Sequence, residues 1–362
     1  MLQYPSEWGS LAKEVLSWAR LVILVGAVDT GKSTMTAYLA NTAWALGYKT
    51  AVVDADVGQS DIGPPTTIGL GVLQQAVENL HDVPPAEFYF VGSTTPRGHI
   101  AAAVAGTKRM VERAFATGAR RVIVNTTGLI GQDLGRTLKY YKVGLTRPDA
   151  IIGLQRRGEL EPMLKTWEAA GFAVYRLPVA PGVCRRSHEV RAAFRERRWR
   201  EFFAGAHRIE LPFGSFRTAR TSLFTGEPLA PAEKDNLGVL TGQPVLWAEK
   251  SVHGAIVVTR EPVAHETLVS AAELLKVPRC LRIAPESFTG IVTGLLGRKG
   301  RCLSLGWVER IDYEGARMLM VTPYQGGERI RVVEFGDTRL DAGTVFERKR
   351  EERCGETCVT IS

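Results

Sequence analysis

Short apolar runs rich in β-branched residues alternate, through the first half of the chain, with longer stretches whose apolar positions recur at helical spacing. Leu21-Val22-Ile23-Leu24-Val25 is the clearest run; it is strand-sized, ends at a glycine-rich turn, and predicts a buried strand. A helix carrying Leu11, Val15, Leu16 and Trp18 precedes it, and a second helix over 32–46 follows the turn. Further strands are expected at 50–54, 88–91, 121–125, 150–154 and 172–175, separated by helices near 100–116, 133–143 and 160–170. Strands that are apolar on both faces and alternate with helices predict an α/β domain: a parallel sheet with helices on both sides. Beyond Gly205 the pattern changes to short strand-like runs at 207–211, 255–259, 291–295, 318–322 and 330–335, punctuated by Gly and Pro and broken by one helical stretch at 264–275. This predicts a smaller, mainly antiparallel β domain, and the chain is expected to divide into 1–205 and 206–362.

The chain has 362 residues, of which 45% are hydrophobic, enough for two domains with real cores and too many for a disordered or fibrous protein. No apolar run approaches the roughly 20 residues that cross a bilayer, so no membrane association is expected. The start, Met1 to Glu7, lacks the basic and apolar segments of a secretory signal, which predicts a cytoplasmic chain. Five scattered cysteines are read as reduced thiols. Cys354 and Cys358 are a redox or metal pair only if further ligands join them, and otherwise part of an inert tail.

Charge changes the picture in one place. The formal net charge is +8, and between Arg185 and Arg200 seven arginines face two glutamates, a local net of +5. Such a helix is either a solvated face or a set of planar donor forks for phosphate.

The decisive motif is Gly26-Ala27-Val28-Asp29-Thr30-Gly31-Lys32-Ser33-Thr34. It fits G-x-x-x-x-G-K-[ST] and stands between a predicted strand and a predicted helix. Its backbone N–H groups and the helix N-terminus suit phosphate, Lys32 reaches the β- and γ-phosphates, and Ser33 is placed to ligate Mg2+. The protein is therefore expected to bind a nucleoside triphosphate. The next strand ends in Asp54-Ala55-Asp56, beside the same crevice. One acid of such a pair can serve the water shell of Mg2+ while the other accepts the proton of an attacking hydroxyl. Asp54 is the metal candidate alongside Ser33; either acid can instead cap the strand or pair with Lys32. None of the four asparagines, Asn41, Asn79, Asn125 and Asn236, supplies a guanine-binding Asn-Lys-x-Asp motif.

At Asp54-Ala-Asp56-Val-Gly58-Gln59-Ser-Asp61-Ile-Gly-Pro64-Pro65-Thr66-Thr67 the chain resembles the polynucleotide 5′-hydroxyl kinases related to the RNA kinase subunit of the mRNA cleavage factor and to the nucleolar Grc-type kinases. Three later segments agree: Phe90 to His99, Val124 to Gly128, and the stretch from Gly182 to Gly205 with its regularly spaced arginines. The resemblance implies an ATP- and Mg2+-dependent enzyme acting on RNA 5′ ends, single-stranded or duplex, with DNA a further candidate. It implies Asp56 as general base, residues 26–34 as the ATP site, with Thr34 at the α-phosphate, and Arg186 and Arg191 on a lid helix over 185–203. Gln59, Pro65 and Thr66 would touch the nucleic acid, as would Thr95 and the clasp Thr127-Gly128-Leu129. The family's clasp commonly reads Thr-x-Gly-Trp, so Leu129 is a departure; either it packs the terminal base, or Tyr140 or Tyr141 replaces the missing aromatic. The P-loop lies close to the start, which resembles the short archaeal and bacterial forms without an N-terminal β domain. Two other readings stand beside the kinase: a scaffold that binds ATP and RNA without turnover, and a regulatory or metal-chaperone NTPase.

Overall fold

The computed structural model describes residues 5–180, 183 and 186–346, so Arg185, Cys184, Cys354 and Cys358 lie outside the described residues. The chain separates into two compact units that meet between Phe202 and Phe203.

The first unit is a seven-stranded sheet with helices on both faces. Its strands are β1 (Leu21–Gly26), β2 (Thr50–Ala55), β3 (Thr67–Val72), β4 (Pro85–Phe90), β5 (Arg121–Thr126), β6 (Ala150–Gln155) and β7 (Ala173–Pro178). Its helices are α1 (Ser6–Trp18), α2 (Lys32–Ala45), α3 (Ile100–Ala116), α4 (Gln132–Thr146), α5 (Glu161–Ala169) and α6 (His188–Phe203). The sheet order is β4-β3-β2-β5-β1-β6-β7. Along β1 the side chains alternate between two cores: Leu21, Ile23 and Val25 pack with α3, α4 and α5, whereas Val22 and Leu24 pack with α1 and α2. Burial on both faces explains why the run reads as continuously apolar.

The sheet departs from the all-parallel expectation at one edge. β3 runs antiparallel to β2, and β4 antiparallel to β3. The connection from β2 to β3 holds no helix, and without a crossover a returning strand must be antiparallel. Glycines at 69 and 71 hide β3 from an apolar pattern. A side chain at Gly69 would overlap the Ile62 carbonyl, because the loop after β2 folds back onto this strand.

The second unit holds a six-stranded sheet of His207–Pro212, Arg217–Ala219, Ile291–Leu296, Cys302–Asp312, Arg317–Thr322 and Val332–Arg339, and a four-stranded sheet of Glu227–Pro228, Val245–Ser251, Gly254–Thr259 and Cys280–Ile283. Most pairs are antiparallel, as expected; Val332–Arg339 with Arg217–Ala219, and Gly254–Thr259 with Cys280–Ile283, are parallel. The helix expected at 264–275 is present as His265–Leu275, joined by a second at Pro231–Thr241 whose apolar positions were too few to predict it. The basic stretch from Gly294 to Arg301 turns an antiparallel hairpin.

Candidate active site

β1 delivers the chain to Gly26, and the loop that follows enters α2 through Gly31 at φ 80°. α2 has no side-chain cap and no acid in its first turn, so its N-terminal N–H groups and dipole are left for an anion. Thr30 Oγ1 and Lys32 Nζ both donate to the Ala27 carbonyl, at 2.9 and 2.6 Å. Lys32 is only 7% exposed, and burial pulls its ammonium down to about 8 against the opposing charges of Asp56 and Asp29.

Beside Ser33 lies a buried oxygen cluster. Asp54 is fully buried at the end of β2 and accepts from the backbone N–H groups of Asp56, Asp61 and Ile62 and from Asn125 Nδ2. Burial, with the charges of Asp61 and Asp56, raises its carboxyl to about 8. Asn125 also donates to Ser33 Oγ at 3.3 Å, and Ser33 hydrogen-bonds the Asp61 carboxyl, which burial raises as well. Asn125 Oδ1 is buried with no hydrogen-bond partner among the described residues. Hard oxygen donors around Ser33 and an unsatisfied acceptor fit Mg2+, which keeps water and phosphate ligands rather than demanding an all-protein cage. Such a cage of three His, Cys, Asp or Glu is absent among the described residues.

Asp56 follows β2 and is held in a turn by the N–H groups of Gly58 and Gln59, which donate to its Oδ1 at 3.1 and 3.2 Å. Its carboxylate is a charge partner of Lys32 across the crevice. The loop after β5 closes the site from above: a Cβ at Gly128 would stand 2.7 Å from the Val28 backbone, so this loop rests directly on the P-loop. Ala27, Val28, Asp29, Thr95, Thr127, Gly128, Leu129, Arg156 and Arg191 wall a cavity of 570 Å3.

α6 brings its arginines to two different places. Arg191 Nη2 bonds Asp29 Oδ2 and lines that cavity. Arg186 precedes the helix; its backbone N–H also donates to Asp29, and it lines a second cavity of 620 Å3 with Ser33, Thr34, Asp61 and Phe194. The cluster is thus neither a uniform solvated face nor a uniform lid, since Arg197 and Arg200 pair with glutamates of their own helix.

The family described as mRNA cleavage and polyadenylation factor CLP1 P-loop matches residues 26–205. A polyribonucleotide 5′-hydroxyl-kinase of Methanocaldococcus jannaschii is 34% identical over 322 residues, covering 88% of this chain and 87% of its own. The chain belongs to the polyribonucleotide 5′-hydroxyl-kinase family. A relative of the same name from Pyrococcus furiosus is 31% identical, covering 93% of this chain and 92% of its own. The rat polyribonucleotide 5′-hydroxyl-kinase Clp1 is 28% identical, covering 69% and 68%. Among solved structures, wild-type Clp1p in its complex with Pcf11p shares the fold at a TM-score of 0.59 and 11% identity, covering 92% of this chain and 79% of its own.

Within this member of the polyribonucleotide 5′-hydroxyl-kinase family, the sequence-predicted residues divide. Lys32, Ser33, Asp54, Asp56, Thr95, Thr127, Gly128, Leu129 and Arg191 gather around the crevice and its cavity. Pro65 and Thr66 do not: both are buried, and Thr66 is locked by backbone bonds to Val57, Val91 and Gly92. Here they form an internal brace that turns the chain into β3. Gln59 is half-buried and donates to the Arg191 carbonyl of α6. Tyr140 and Tyr141 are exposed and line a separate cavity with Arg136 and Trp167, not the one that Leu129 lines. Among the described residues no helix is long and apolar enough to cross a membrane.

Three residues escaped the sequence reading. Arg156, just after β6, donates to the Asp29 carbonyl and adds a cation to the cavity wall. Its place after a predicted strand end was the available signal. Lys139 and Lys142 on α4 are fully buried beneath the site.

Proposed function

We propose that this chain transfers the γ-phosphate of ATP to the 5′-hydroxyl of RNA, single-stranded or at duplex ends, with DNA as a further candidate acceptor. The observation that carries this reading is the shared cavity: the donor loop at 27–29 and the acceptor loop at 127–129 are in contact and wall one space, with Arg191 and Arg156 at its edge.

The P-loop N–H groups, the N-terminus of α2 and Lys32 hold the triphosphate, and Thr34 lies at its α-phosphate end. Thr95 and the Thr127-Gly128-Leu129 loop hold the RNA terminus. Asp56 accepts the proton of the 5′-hydroxyl, whose oxygen forms the new bond to the γ-phosphorus as the bond to the ADP oxygen breaks. Arg191 and Arg186 compensate the charge of the transferring group. Mg2+ would be held by Ser33 and Asp54, and when bound it neutralises charge on the phosphate oxygens.

The test is transfer of labelled γ-phosphate to 5′-hydroxyl oligonucleotides of matched sequence: RNA and DNA, single-stranded and duplex. Labelled 5′-phosphate on RNA, reduced about 100-fold or more by Asp56→Asn with ATP affinity retained, is the expected result. No product at high enzyme concentration, with ATP and RNA still bound, would instead identify a scaffold.

A further inference from the structure

We propose that Lys139 and Lys142 are positioning residues for the transfer: from inside the domain they tie together the three strand ends that carry the donor loop, the acceptor loop and the base. The inference rests on the kinase reading and adds to it a part of the machinery that touches no substrate.

The two lysines lie one helical turn apart on α4, on the face that packs under the sheet, and both side chains are completely buried. Lys139 Nζ donates to Thr126 Oγ1 at 2.7 Å and to the Thr127 carbonyl, at the root of the acceptor loop. Thr126 Oγ1 passes the contact on, donating to the Leu24 carbonyl at 2.6 Å, two residues before the P-loop begins. Lys142 Nζ donates at 3.1 Å to the carbonyl of Ala55, the residue between Asp54 and Asp56. β2, β5 and β1 are neighbours in the sheet, so one helix face grips three adjacent strand ends.

An ammonium group taken wholly out of water is costly, and a methionine would fill the same space without that cost. The carbonyls these lysines satisfy stand where the sheet ladder stops and the functional loops begin, which gives the charge a purpose. Burial pulls both lysines down, Lys139 further because Lys142 and Lys32 repel it as well, and the charge of Asp56 opposes that shift in both. In-line transfer is sensitive to displacements of about 1 Å, enough to cost roughly 100-fold in rate. A strut that fixes three loops relative to one another acts on that sensitivity directly.

The experiment compares Lys139→Met and Lys142→Met with the unaltered protein, after thermal melts show that each is folded, measuring kcat and KM for a 5′-hydroxyl RNA oligonucleotide and for ATP. Lys139→Met is expected to raise the KM for RNA about tenfold, and Lys142→Met to lower kcat about tenfold or more, with the KM for ATP within about twofold in both. Lys139→Gln and Lys142→Gln, which keep a single donor, serve where a methionine variant does not fold and are expected to lie between it and the unaltered protein. Kinetic constants unchanged in folded variants would overturn the proposal, as would a parallel loss of ATP and RNA binding, the mark of a merely structural role. Absence of transfer by the unaltered protein would instead overturn the kinase reading itself.

Discussion

Arg191 of the lid helix and Asp29 of the P-loop form an ion pair, with Nη2 2.5 Å from Oδ2, although 162 residues separate them in sequence. Arg191 is thereby held against the P-loop, with the Asp29 carboxylate occupying one of its guanidinium donors. The same carboxylate accepts the Arg186 N–H, so one P-loop side chain fixes the start of the lid as well as its first full turn.

Replacing Asp29 by Asn tests that pairing. Asn tolerates the left-handed backbone at this position, where φ is 56°, so the loop itself is preserved. With the carboxylate gone, Arg191 is released to the triphosphate, and ATP is expected to bind about fivefold more tightly, the equivalent of ~1 kcal/mol for a partly exposed pair. Titration calorimetry reads the change; weaker binding would show that Asp29 supports the nucleotide.

ATP affinity should fall as pH rises through about 8. Burial lowers Lys32 to about 8, so above that pH the lysine approaches the phosphates uncharged. Affinities measured from about pH 6.5 to about pH 9.5 are expected to be flat on the acid side of that value and to decline beyond it, with the decline absent in Lys32→Met. The fold responds in the opposite sense. The unfolded chain keeps this proton up to the ordinary lysine range, so the cost to stability is fully present below about 8 and fades toward 10.5.

Leu129→Trp restores a stacking surface to the acceptor loop. Leu129 lines the cavity and is half-buried, and the exposed tyrosines of α4 line a different one. A terminal base stacked on indole is expected to gain ~1–3 kcal/mol, seen as a KM for RNA lowered about fivefold or more, with a smaller effect on kcat. An unchanged KM would mean that the terminal base does not reach this wall.

Gly128→Ala is expected to damage donor and acceptor sites together. The added methyl would meet the Val28 backbone 2.7 Å away, which cannot give as the end of a side chain can. A loss of ~1–3 kcal/mol in stability, with raised KM for both ATP and RNA, is expected from thermal melts and steady-state kinetics. An effect confined to RNA would show that the two loops move independently.

What could be read in the sequence follows from the physics of each feature. β1 and the P-loop were legible because burial on both faces leaves an uninterrupted apolar run and phosphate binding demands its glycines in a fixed order. β3 was not, because Gly69 and Gly71, present for close packing against Ile62 and Val83, erase the apolar signal. Lys139 and Lys142 count as polar in any periodicity, so nothing in the pattern of α4 marks them as buried. Pro65 and Thr66 sit in the right motif but inside the protein, and a motif carries no information about depth. The Asp29–Arg191 pair spans most of the domain in sequence and becomes visible only once the lid helix is folded over the loop.

The place of β5 in the sheet has a further meaning. It lies between the strand that ends in the P-loop and the strand that ends in the acidic pair, and backbone hydrogen bonding holds neighbouring strands ~4.8 Å apart. The strand ends that carry the P-loop and the Asp54–Asp56 pair are therefore two rails roughly 10 Å apart, a separation set by the width of one strand. The sheet thus gauges the distance between the roots of the two loops, and side chains such as Lys139 and Lys142 act on the loops beyond it.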